Sequence, residues 1–162
     1  MTLLSNIITP TNVLTASSTN TVTNKTIDFS TNTLTGVAST STSQTLTNKT
    51  LTNPTVTNYT ETPFSANSST AITLALTNGT FQIITLTGNA TITMPTATSG
   101  KSFILLLKQD GTGGRTVTWS TVKWPGGTAP TITSAASRQD IFSFFADGTN
   151  WYGVTVSQNY TP

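Results

Sequence analysis

The sequence predicts an all-β protein: an extended Thr/Asn-rich N-terminal arm followed by a C-terminal, jelly-roll-like β-sandwich. Three observations carry this. Threonine makes up about a quarter of the 162 residues, while charged residues make up only 7%. Threonine is β-branched and its hydroxyl tolerates water, so it suits a strand with one wet face. Short stretches alternate apolar and polar residues, the signature of half-buried strands. Gly- and Asn-containing turn signals separate those stretches. The Ala/Glu/Lys/Leu mixture that favours helices is missing.

The chain divides near Glu61-Thr62-Pro63 into residues 1–62 and 63–162. The first part is low in complexity and almost without aromatics. TVTNKTI at 21–27 returns as TLTNKTL at 45–51. A finer period of five follows: Leu46-Thr-Asn-Lys-Thr, Leu51-Thr-Asn-Pro-Thr, Val56-Thr-Asn-Tyr-Thr. Five matches neither the helical 3.6 nor the strand period of two. Pro54 also interrupts any continuous ladder. A bending, β-like ribbon fits, because Asn tolerates turn conformations. The pentapeptide-repeat solenoid does not, since Lys49 and Pro54 stand where it needs small residues.

One aliphatic residue in five cannot order a lone chain. Fixing a backbone costs roughly 1–2 kcal/mol per residue, whereas burying one Leu returns roughly 1.5–3 kcal/mol. The arm therefore needs partners, with Val22, Ile27, Leu34, Leu46, Leu51 and Val56 as the expected assembly contacts. A flexible linker is the plainer alternative.

The second part supplies the core. Ala90, Ile92 and Met94 share one face of a strand, as do Ile72, Leu74 and Leu76. Val117 and Trp119 face inward, with Thr116 and Thr118 outward. Phe103 to Leu107 is apolar on both faces and reads as a central strand. Ile141–Phe145 and Trp151–Val156 supply two more strands. Asn78-Gly79, Gly88-Asn89, Asp110-Gly111, Pro125-Gly126-Gly127 and Asp147-Gly148 mark the turns. Gly111-Thr-Gly-Gly114 lacks the Gly-Lys-Ser/Thr ending of a phosphate loop and reads as a hairpin loop.

Chemistry is scarce. There is no Cys and no His, which removes disulfides and Cys/His metal sites. No serine nucleophile has a histidine base. Asp110 and Asp147 sit in Asp-Gly turns, where the side chain normally caps its own backbone. No catalytic residue, cofactor site or metal site is expected, and the protein is read as non-enzymatic. The pI of about 9.2 reflects few charges of either sign. The seven basic residues are scattered, so no nucleic-acid partner is expected. No apolar run approaches the roughly 20 residues of a membrane helix, and the N-terminus is a poor signal peptide. Trp124, before Pro125-Gly126-Gly127, is either a glycan-facing aromatic or a side chain closing the sandwich edge, the plainer reading.

The runs GNATITMP, SGKSFILLLKQDGTGGRTVTWSTVKWPGG and RQDIFSFFADGTNWYGV, spanning Gly88 to Val154, resemble a module of tailed-phage virion proteins. It occurs in tail-fibre C-termini and in head-decoration or head-fibre proteins. The resemblance implies a homotrimer on the virion surface, assembled in the bacterial cytoplasm and without catalytic residues. The short chain favours a capsid-decoration (cement) or head-fibre protein that docks on the major capsid protein. The alternative is a short tail fibre, attached to a tail protein, that recognises host surface glycans.

Overall fold

The computed structural model describes residue 43 and residues 45–162. The chain forms two units, Met1–Pro54 and Thr55–Pro162. Val22, Ile27 and Leu34 lie outside the described residues.

In the segment around the five-residue period, each unit turns at its Asn. Asn48, Asn53 and Asn58 have φ of 54°, 49° and 60°, the left-handed region that Asn enters more easily than other residues with a side chain. Leu46, Leu51 and Val56 are 51%, 61% and 60% exposed.

The C-terminal unit is all-β. Its strands are β1 (Phe64–Ser68), β2 (Ala71–Thr73), β3 (Phe81–Leu86), β4 (Ala90–Thr93), β5 (Ser102–Gln109), β6 (Val117–Ser120), β7 (Val122–Lys123), β8 (Gln139–Ala146) and β9 (Trp151–Tyr160). One sheet has the order β1-β3-β5-β8-β9-β7 and the other β2-β4-β6. The all-β expectation holds, with two sheets sharing one core. Ile84, Leu86 and Leu105 of the first sheet and Ala90 and Ile92 of the second are all buried. The predicted inward stripe Ala90, Ile92 and Met94 is buried throughout.

The winding differs from the hairpin order that the turn signals suggest. β1, β3 and β5 pair in parallel, and so do β2, β4 and β6. Parallel neighbours need a crossover between them. Here the crossover is a strand of the other sheet, so β1–β2, β3–β4 and β5–β6 stack as three rungs of a short solenoid. Backbone bonds join the rungs at their corners, Thr87 N to Ser68 O at 2.9 Å and Asp110 N to Leu86 O at 3.2 Å. Gly88 sits at one such corner, where a Cβ would come within 2.3 Å of the Ser69 carbonyl oxygen. Gly111–Gly114 is likewise a corner between sheets and not a hairpin loop. Its Gly114 N–H donates to Ser134 O, from a distant segment, at 2.6 Å.

Polar side chains pin these connections, Gln109 and Asp140 from buried positions. Gln109 accepts from Arg115 N and donates to Arg115 O and Thr133 O. Asp140, also buried, accepts from Thr133 N (2.7 Å), Asn159 N (2.9 Å) and Gln158 Nε2 (3.1 Å). Glu61 accepts from Thr80 Oγ1 at 2.7 Å, from Thr80 N, and from Phe81 N at 3.0 Å. These bonds, the Thr80 hydroxyl's first, hold its carboxyl below the usual range.

β8 and β9 close the first sheet as an antiparallel hairpin. Their inward aromatics join the tryptophans. Phe103 stacks on Phe144 at 4.8 Å, and Trp119 meets Trp124 and Phe142 edge-on at 5.2 Å. Trp151 donates its Nε1 hydrogen to Pro95 O at 2.7 Å.

Candidate functional site: an aromatic groove at the β8–β9 hairpin

Successive strand residues face opposite ways. Phe142, Phe144 and Ala146 point into the core, so Phe145 must point out. It is 51% exposed. Its register partner on β9 is Tyr152, and Tyr152 pairs in turn with Lys123 of β7. Phe145, Tyr152 and Lys123 therefore form one row on the outer face. The Phe145 and Tyr152 rings stack at 5.0 Å with an interplanar angle of 15°.

The hairpin loop fixes this pair. Asp147 Oδ1 accepts from Thr149 N at 2.8 Å and Asn150 N at 2.7 Å, while Oδ2 accepts from the Tyr152 hydroxyl at 2.9 Å. The backbone N–H of Asn150, then that of Thr149, and the Tyr152 hydroxyl lower the Asp147 pKa to about 2. The same carboxylate raises the Tyr152 pKa by accepting the phenol's hydrogen. Asp110 caps its own turn in the same way through Thr112 N and Gly113 N. Its Oδ2 pairs with Arg115 at 2.8 Å, and that bond is the first cause of its lowered pKa.

Beside the stacked pair lies a groove of about 280 Å³, lined by Lys123, Trp124, Pro125, Phe145, Tyr152, Gly153 and Val154. Aromatic faces next to a few fixed polar groups suit a flat, amphipathic ligand such as a sugar ring. A second depression, about 390 Å³, lies between Ala75–Thr77 and Pro95–Lys101 and has no aromatic lining.

Trp124 borders the groove but is itself only 9% exposed and packs among Trp119, Phe142 and Phe144. Gly153 makes that possible, since a Cβ there would lie 2.7 Å from the Trp124 ring. The aromatics that the groove offers to solvent are Phe145 and Tyr152, both on strands expected to supply the core. The adjacent pair Phe144-Phe145 held the signal, because both cannot face one core. Among the described residues no cluster of His, Cys, Asp or Glu could hold a metal ion.

A family model described as "Putative phage tail fibre C-terminal domain" matches residues 70–151, half of the chain. The matched segment runs from the start of β2 to the first residue of β9 and includes Phe145, Asp147 and Lys123. No curated protein and no solved structure matches the chain.

Proposed function

The chain belongs to this phage tail-fibre C-terminal domain family, and on that premise we propose that it is a non-enzymatic, receptor-binding segment of a trimeric tail fibre. Its groove takes a saccharide of the host surface. The observation that carries this is the outward Phe145–Tyr152 stack, locked by Asp147 and flanked by Lys123. Stacked rings supply apolar area for the C–H face of a pyranose. Lys123 supplies a donor for hydroxyl or acidic substituents. Titration with polysaccharide purified from the host surface tests it. Wild type binds and Phe145→Ala binds at least tenfold more weakly; equal affinities would refute the assignment.

Capsid decoration is the second reading, in which the arm lies across the major capsid protein. The exposure of Leu46, Leu51 and Val56 on a ribbon turning at every fifth residue supports an arm that docks. The tail-fibre family favours the first reading. Copy number per particle separates them, with a few copies on a tail against hundreds on a head.

A further inference from the structure

The two outer faces of the C-terminal unit are unlike. On the β2-β4-β6 sheet the outward residues of β4 and β6 are Thr91, Thr93, Thr118 and Ser120, which leave hydroxyls to water. On the other sheet the middle of the outer face is aliphatic. In register across it stand Ile83, Leu106 and Ile141, and beside them Ile104 and Val154 in line with Ser143. Val156 extends the patch. Ile104 is 45% and Val156 58% exposed. The patch crosses four strands, about 15–19 Å at the usual spacing, and its two rows lie two residues, about 7 Å, apart along them.

We propose that this face is where copies of the chain meet. The inference deepens the trimeric reading given above and rests on it. The occupant follows from charge. Lys108, at one end, is the only charged residue in the outward rows of β3, β5, β8 and β9. A charged partner would find only Lys108, and Lys123 of the neighbouring β7, to pair with, whereas a second copy presents an equally aliphatic, charge-poor surface. The Thr-rich outer face of the same unit shows that a wet sheet in this chain is built differently. The Phe145–Tyr152 row lies at one end of the patch, so copies joined through the aliphatic rows leave the grooves at the rim, near one another. Clustered weak sites gain avidity on a repetitive glycan surface.

The chain has no cysteine, so one introduced thiol is unique. Ile104→Cys and Val156→Cys on the patch, and Thr118→Cys on the Thr-rich face, are made in the full chain and treated with a short bis-maleimide. The mass of the untreated wild type is measured alongside. The expected result is a three-copy wild type, with covalent dimer at the two patch positions at least tenfold above Thr118→Cys. Val156 is the more exposed position and keeps the test intact if Ile104→Cys fails to fold. Patch thiols that cross-link no better than Thr118→Cys, in a three-copy protein, overturn the face and leave the trimer standing. A single-copy wild type overturns both.

Discussion

Tyr152 donates its hydroxyl hydrogen to Asp147 Oδ2 at 2.9 Å while its ring lies flat against Phe145. One carboxylate thus closes the β8–β9 hairpin and holds an exposed aromatic plate in place. Asp147→Asn weakens the acceptor, so the Tyr152 pKa falls back toward the ordinary tyrosine value of about 10. Ultraviolet titration of the phenolate near 295 nm, with Tyr59→Phe and Tyr160→Phe to isolate the signal, reads the shift.

The same carboxylate sets an acid limit. Its folded pKa is about 2 against an ordinary aspartate value of 3.8. The folded state thus binds this proton less readily than the unfolded state. The contribution to stability is full above about pH 4 and is lost as pH falls toward 2. Thermal melts of wild type between pH 5 and pH 2 fall more steeply than those of Asp147→Asn. Parallel curves would assign the acid sensitivity to other carboxylates.

Gly153→Ala forces a methyl group to within 2.7 Å of Trp124 and 2.9 Å of Phe144. Overpacking of this kind costs about 1–3 kcal/mol. Urea unfolding shows the loss as a lower midpoint, accompanied by a change in tryptophan fluorescence as Trp124 is displaced.

Asp140→Ala removes the acceptor of two backbone N–H groups and the Gln158 amide around a buried site. Leaving buried donors unpaired costs about 1–3 kcal/mol for each group left without water. The variant is destabilised by at least that amount in urea. Hydrogen exchange at Thr133 and Asn159 rises more than at β5, which keeps its ladder.

Much of the fold was legible because it depends on local pattern. Alternation at Ala90-Thr-Ile-Thr-Met94 and the double-sided run Phe103–Leu107 fixed strands and faces. The rung order was not legible. Gly88-Asn89 and Asp110-Gly111 turn the chain at a corner between sheets with the same residues that close a hairpin. What decides between them is pairing with distant strands, such as Phe64 with Gln82. Trp124 is a candidate glycan contact on sequence because it precedes a Pro-Gly-Gly turn. Its burial depends on Gly153, almost 30 residues away in sequence, so no local signal gave it. Phe145 was hidden in an apolar strand, although parity with Phe144 marked it as outward.

Binding to host cells tests the central claim most directly. Fluorescently labelled wild type, Phe145→Ala and Tyr152→Ala are incubated with cells of the host strain, before and after periodate oxidation of the surface glycans. Phe145 and Tyr152 face outward, so the variants are expected to keep the wild-type fold, which circular dichroism checks. Wild type binds untreated cells, loses binding after periodate, and exceeds either variant by at least tenfold. Binding that survives both periodate and loss of the aromatic pair would contradict a glycan-recognising groove.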